Sequence, residues 1–264
     1  MFARLSQRTG LHHEAPGLRV RDFFEEAYTV LARQGQRTEH VYKTALLHKV
    51  LLGTHSLRTA TMLTELRVAD CRADVVILNG TSTVYEVKSE RDGLHRLEHQ
   101  LAAYRKVFAR VNVIAGHDHV AAVIDSVPED VGVMRLSGRG SVSTVREAIN
   151  APERIEPTVL FETLRRDEAV EILRHHGVAV PQVPNTEAYG MLKGIFASLS
   201  PVEAHYGFVR VLRKTRSVLG LAELLEGLPC SLRAAALPVR LGKADRMRLL
   251  EAMNVTMDTA LTWA

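Results

Sequence analysis

Residues 61–88 constrain the fold most. Here a helical spacing of apolar residues gives way to three short runs rich in β-branched residues, MLTELRV, ADVVIL and TVYEVK, with Asn79-Gly80 between the second and third. Runs of this kind bounded by turn residues predict a β-meander. Helical patterns flank it. Residues 21–33 place Phe23, Phe24, Ala27, Val30 and Leu31 on one face, and residues 39–52 do the same with Val41, Ala45, Leu46, Val50 and Leu51. Gly35 and Gly53 end these two helices in turn. After the meander, residues 93–109 read as an amphipathic helix capped by Asp92, with Leu94, Leu97, Leu101, Tyr104 and Phe108 as its buried stripe. VNVIA (111–115) and VGVMRL (131–136) read as two further strands, separated by a short helix at AAVIDSV. The order helix, three strands, helix, strand, helix, strand predicts a mixed α/β layer.

Outside this block the texture changes. Residues 1–17 mix Arg, His, Gly and Pro without periodicity and read as a tail, and the Gly/Ser-rich GRGSVS marks a linker over 138–150. Residues 151–264 read as helical throughout, with one helix over 157–175 that stops at Gly177 and another capped by Asn185. Ser200-Pro201-Val202-Glu203 is the clearest helix start, combining a Ser cap, Pro at the first position and Glu at the third. The expected organisation is a tail (1–17), an α/β domain (18–137), a linker (138–150) and an all-helical domain (151–264).

The strand runs carry charge where apolar residues are expected. Asp74 enters the second run, and Glu86 and Lys88 in the third point to one sheet face because strand side chains alternate. A buried unpaired charge is costly, so these residues either pair with each other or serve a site. Hairpin register decides whether Asp74 joins them. A two-residue Asn79-Gly80 loop sets Asp74 opposite Tyr85, on the wrong face, whereas a three-residue loop through Thr81 sets it opposite Glu86, and a five-residue loop opposite Lys88. An odd loop or an equivalent bulge is therefore predicted. Converging carboxylates repel, and a hard divalent cation relieves the repulsion while keeping waters for a phosphate. A lysine beside them can orient or deprotonate water and stabilise charge on phosphorus. That is equipment suited to phosphodiester hydrolysis.

Glu65, Asp74, Glu86-Val87-Lys88 and Gln100-x-x-x-Tyr104, in this order, resemble the PD-(D/E)XK nuclease superfamily. The Gln-x-x-x-Tyr pair is similar to the branch containing the RecB nuclease domain. The run from RADVVILNG to AAYRKVF resembles more closely a family of bacterial and phage proteins assigned to that superfamily, over about residues 20–216. Ala73 stands where the superfamily's name has proline. The resemblance implies a restriction-endonuclease-like sheet flanked by helices. It also implies a DNA-cleaving enzyme in which Asp74, Glu86 and the Val87 carbonyl bind Mg²⁺ or Mn²⁺, Lys88 serves the nucleophilic water and Glu65 reaches a second metal or its water shell. Gln100, Tyr104 and Arg96 share a helical face and would reach the site or the scissile strand. Tyr104 also continues the buried stripe, and Arg96 has Glu65 or Asp92 as alternative partners. Arg72, Arg210, Arg213 and Lys214 are candidate phosphate contacts that also read as ordinary solvated charges. The alternative from a different class is a non-catalytic nucleic-acid-binding or assembly protein on the same scaffold, with the helical domain gripping nucleic acid or a protein partner. A third reading is a nuclease directed at RNA.

Composition narrows the remainder. Lys and Arg number 34 against 30 Asp and Glu, a net charge of +4, so any polyanion-binding surface depends on how charge is distributed rather than on the total. The expected distribution is an acidic pit rimmed by Arg and Lys. No apolar run approaches the roughly 20 residues of a membrane span, and the start MFARLSQRTG lacks the apolar core of a signal peptide. Two cysteines, Cys71 and Cys230, exclude a disulfide framework and a cysteine-rich zinc module and suit a reducing cytoplasm. His12-His13, His117-Asp118-His119 and His175-His176 lack partners at zinc spacing and read as solvated histidines rather than as an HNH-type site.

Overall fold

A computed structural model describes residues 17–138, 140–181 and 183–263. The tail expected at 1–17, apart from Gly17, and the pair His12-His13 lie outside the described residues. Six strands form one mixed sheet in chain order: β1 (Thr61–Val68), β2 (Cys71–Leu78), β3 (Ser82–Lys88), β4 (Arg110–Gly116), β5 (Gly132–Leu136) and β6 (Val142–Arg146). The meander β1–β2–β3 is antiparallel, β3, β4 and β5 run parallel, and β6 returns antiparallel to β5. Parallel neighbours need crossovers, and α3 (Leu97–Arg105) and α4 (Val120–Ser126) supply them. Both crossover helices bury side chains in one core with Val76, Leu78, Val84 and Val113. On the opposite face, α2 (Glu39–Ala45) packs Val41, Tyr42 and Ala45 against Val75, Ile77, Tyr85 and Val87.

The helical half does not stand apart from the sheet. Helices α5 (Pro157–Phe161), α6 (Arg166–His175), α7 (Asn185–Phe196) and α8 (Pro201–Thr215) bury Phe161, Ile172, Phe196 and Phe208 in the same core as the sheet's α3 face. A third core joins α1 (Val20–Leu31) to α9 (Ala222–Gly227), α10 (Cys230–Ala236), α11 (Lys243–Met253) and α12 (Met257–Ala260) through Val20, Phe23, Leu225 and Met253. Among the described residues, no helix is long and apolar enough to cross a membrane.

Several local readings change. The stretch expected to be a linker carries β6, whose half-exposed VSTVR shows no apolar alternation because it is an edge strand. The helix expected over 93–109 begins only at Leu97, and Asp92 instead accepts from the Ser89 backbone N–H at 2.8 Å and hydroxyl at 2.6 Å, closing the turn after β3. The helix over 157–175 divides into α5 and α6, with the Glu168 carboxylate accepting from the Arg165 N–H at 2.8 Å to start the second. Helix α2 continues as a π-helical segment over Leu46–Leu51, which a 3.6-residue period cannot distinguish from α-helix at this length.

Candidate functional site

The β2–β3 connection is the three-residue loop Asn79-Gly80-Thr81, with Leu78 paired to Ser82 and Val75 to Tyr85. Gly80 takes φ of +107°, a conformation suited to glycine. One step further in this register Asp74 faces Glu86. On the other side, β1 pairs Thr64 with Val75 and Leu66 with Ala73, so Asp74 also faces Glu65. Glu65, Asp74 and Glu86 thus form a row across three strands.

The row does not close into one acidic pit. Beyond Val75 and Tyr85 the β2–β3 pairing ends, and the Val87 N–H donates to Asp74 Oδ2 at 2.7 Å. Glu86 is buried and both of its oxygens are engaged: Lys88 Nζ donates to Oε1 at 2.8 Å, and the Tyr104 hydroxyl lies 2.9 Å from Oε2. Tyr104 shares that proton with the Arg72 carbonyl at 2.7 Å, and Lys88 also donates to Gln100 Oε1 at 2.9 Å. Glu65 adopts φ of +56°, left-handed for a residue with a Cβ, a local strain of about 1–3 kcal/mol. It pairs with Lys43 of α2, which also holds Glu39. The carboxylates that converge are therefore Glu39, Glu65 and Asp74, with Lys43 bonded to the first two and Glu86 outside the group.

The chain's own groups already engage this donor set, since Lys43 bonds Glu39 and Glu65 while Lys88 and Tyr104 occupy the two Glu86 oxygens. Burial first, and then the Glu86 charge, push the Asp74 carboxyl up to about 8. Burial and Glu86 likewise push the Tyr104 phenol up, keeping its proton available to Glu86. Lys88, Gln100, Tyr104, Glu86, Asp74 and the Val87 N–H make a closed polar latch that fastens α3 to β2 and β3. Arg72 and Arg96 are exposed near it.

A different surface leaves its charges open. Helix α8 begins as its sequence predicts, with the Ser200 hydroxyl accepting from the Glu203 N–H and the Glu203 carboxylate accepting from the Ser200 N–H at 2.9 Å. It crosses α6 closely, because a Cβ on Gly207 would meet Ile172 Cγ2 at 2.6 Å. His205, fully buried on α8, accepts from the Ser82 N–H at 3.2 Å and so ties the helix to the β2–β3 turn. Burial lowers this imidazole to about 4, which keeps it neutral. At the end of α8, Arg216 pairs with buried Glu168 at 2.6 Å.

The outer side of α8 borders a hollow of about 530 Å³ lined by Arg58, Arg210, Arg213 and Lys214, with Tyr206 half-exposed beside them. Arg210 contacts His175, and Lys214 pairs with partly exposed Glu171 at 2.9 Å. At Ser217 this hollow adjoins one of about 700 Å³ lined by Arg67, Arg165, Arg216, Arg240 and Arg246, where Glu65 is the acidic residue of the lining. Among the described residues, Arg58, Arg213 and Arg240 form no hydrogen bond or ion pair with the protein. Arg67 also lies directly across the β1–β2 ladder from Arg72. Like charges so placed repel unless an anion stands between them.

The sequence reasoning named Arg210, Arg213 and Lys214 but missed Arg58, Arg67, Arg240, Tyr206 and Lys43. Only Lys43 had a local signal, four residues after Glu39 on one helix. Arg58 lies in a loop more than a hundred residues before α8, and no spacing rule connects them.

The family model for bacteriophage P4 protein cII matches residues 32–215, more than half of the chain. Protein cII of Enterobacteria phage P4 is 30% identical over 128 residues, covering 46% of this chain and 48% of that protein, so the chain spans about half the length of this curated relative. Among solved structures, SPO1766, a protein of unknown function from Silicibacter pomeroyi, covers 57% of the chain and 98% of itself at 19% identity and a TM-score of 0.35. AF1548, another protein of unknown function, covers 67% and 98% at 14% identity and a TM-score of 0.26.

The matched segment contains every residue of the Glu65–Tyr104 constellation. Assignment to the PD-(D/E)XK nucleases is thereby corrected, and the Mg²⁺- or Mn²⁺-dependent deoxyribonuclease expected from it is withdrawn with its cofactor. The physical reason for the misreading is that the same residue types in the same order also build an internally neutralised latch. The chain belongs to the bacteriophage P4 protein cII family.

Proposed function

We propose that this chain is a non-catalytic nucleic-acid-binding protein and that the basic strip along α8 and β1 is the surface that meets the phosphate backbone. The observation that carries the reading is the pair of adjoining hollows at Ser217, lined by nine Arg and Lys side chains and one carboxylate, Glu65. Among the described residues, only Lys214 and Arg216 of the nine are held by further carboxylates, Glu171 and Glu168. Nucleic-acid affinity rests largely on such arrays, because each neutralised phosphate releases condensed counterions. Unpartnered guanidiniums are free to make these contacts without first breaking a bond to the protein, and Tyr206 adds an exposed ring on which an unpaired base can stack. Arg72 and Arg96 extend the positive surface beyond Arg67.

In this reading the sheet keeps a restriction-endonuclease-like arrangement as a scaffold. Residues 18–146, β6 included, supply the sheet unit and 151–264 the helical unit that grips nucleic acid, DNA being the partner favoured here. The free thiols Cys71 and Cys230 suit a cytoplasmic setting. The test is fluorescence anisotropy with labelled duplex DNA, single-stranded DNA and RNA, run with a gel of the same samples after incubation in Mg²⁺ or Mn²⁺. The expected result is salt-sensitive binding with the nucleic acid left intact. Failure to bind any of the three, or cleavage that Lys88→Ala abolishes, would overturn the proposal.

A further inference from the structure

A second basic pocket shares no lining residue with the strip. It occupies about 440 Å³ between α1, α2 and the end of β5, within the range of small-molecule sites. Its cationic side chains are Arg33, Arg37 and Lys49, and no carboxylate among the described residues lines it. Arg37 is the anchor. Although almost fully buried, it is held in place by backbone carbonyls, Nε donating to Ala32 O at 3.0 Å and Nη1 to Leu136 O at 3.0 Å, while Nη2 has no hydrogen-bond partner. Glu90, behind it at 3.6 Å from Nη1, balances this one charge. The Arg33 and Lys49 side chains are exposed and make no hydrogen bond or ion pair with the described protein, so their charge is not offset there.

The backbone points to the same place independently. The π-helical segment Leu46–Leu51 brings His48 and Lys49 to the pocket wall, and such widened turns concentrate at functional sites. His48 hydrogen-bonds the Cys230 carbonyl at 3.2 Å, and burial shifts its imidazole downward, so it serves as a neutral polar group. Tyr28 contributes a partly buried aromatic wall. A fixed guanidinium, two unpartnered cations and an aromatic side in a pocket of this size match an anionic head on a planar body.

We infer that this pocket binds a small phosphate monoester with an aromatic body, of the nucleoside monophosphate class, with Arg33 and Lys49 around the phosphate, buried Arg37 acting through its charge rather than by contact, and Tyr28 against the ring. The experiment is thermal unfolding together with isothermal titration of the full chain, using inorganic phosphate, adenosine and adenosine 5′-monophosphate as probes. The monophosphate is expected to bind most tightly and to raise the unfolding temperature, with phosphate weaker and adenosine weakest. Arg33→Glu and Lys49→Glu, both at exposed positions, should each weaken monophosphate binding by about tenfold or more. Arg213→Glu should leave it unchanged, and the two pocket variants should leave duplex-DNA binding unchanged, which separates this inference from the strip. No binding of phosphate or monophosphate would overturn it. So would adenosine binding as tightly as its monophosphate, or binding that persists in both pocket variants and is therefore an adventitious ion only.

Discussion

The latch at Glu86 and the strip on α8 use similar charged residues in opposite ways. At the latch, Lys88 and Glu86 are both buried, 2.8 Å apart, and bonded onward to Gln100 and Tyr104, so little charge reaches solvent. On the strip, Arg58, Arg213 and Arg240 stand without partners beside an exposed tyrosine. A motif read from residue types alone points to the latch, because carboxylates and a lysine at strand spacing suggest chemistry. Geometry points to the strip, because only groups still free to bond can meet a ligand. Burial and bonding, rather than residue identity, distinguish the two.

Breaking the latch should give the largest effect. Glu86→Ala leaves the Lys88 ammonium buried without its counter-charge and should destabilise the fold by about 3–5 kcal/mol in urea titration. The double variant Glu86→Leu/Lys88→Met should recover much of that loss, because replacing both partners of a buried pair with apolar groups is often tolerated. If the double variant were no more stable than the single, the pair would not be the structural unit described.

Asp74 gives the next effect, through pH. Its carboxyl titrates at about 8 in the folded chain against 3.8 in the reference state. The folded state therefore holds a proton that the unfolded state releases across this window, and stability contributed by this group falls as pH rises, by at most about 1.4 kcal/mol per pH unit. His205 works in the opposite sense. Lowered to about 4 from 6.5, it favours the fold above that window, and its contribution is lost as pH falls from 6.5 toward 4. The two slopes oppose each other below pH 6.5, so the net decline should appear between about pH 6.5 and 8. Urea titrations over this range should show it in the native chain and not in Asp74→Asn.

These variants also mark how far the sequence was legible. Strand parity identified the odd β2–β3 loop and the row formed by Asp74 and Glu86, because only one parity brings a charged pair to one face. The Ser200 cap was legible because its partners lie within three residues. Strand β6 was hidden because a half-exposed edge strand need not alternate. The latch was misread because nothing local shows whether Lys88 Nζ points to solvent or to Gln100. The strip was only half visible, since α8 supplies one wall and Arg58 and Arg67 arrive from elsewhere in the chain.

Smaller effects sharpen the boundary between the regions. Tyr104→Phe removes the hydroxyl that serves Glu86 and the Arg72 carbonyl and should cost about 1–3 kcal/mol, with nucleic-acid affinity unchanged. At Glu65, where φ is +56°, Gly should be more stable than Ala by about 1 kcal/mol, since both remove the Lys43 contact and only Ala keeps the left-handed strain. Equal stability of the two would show that the strand relaxes once the carboxylate is gone.

The most direct test of the division is duplex-DNA affinity measured as a function of salt for the native chain and for Arg58→Glu/Arg213→Glu. The native chain should show a steep decline of log affinity with log salt. The double variant should bind more weakly, with a slope shallower by about one for each phosphate contact removed. An unchanged affinity and slope in the double variant would contradict the account, because the nucleic acid would then be meeting some surface other than the strip.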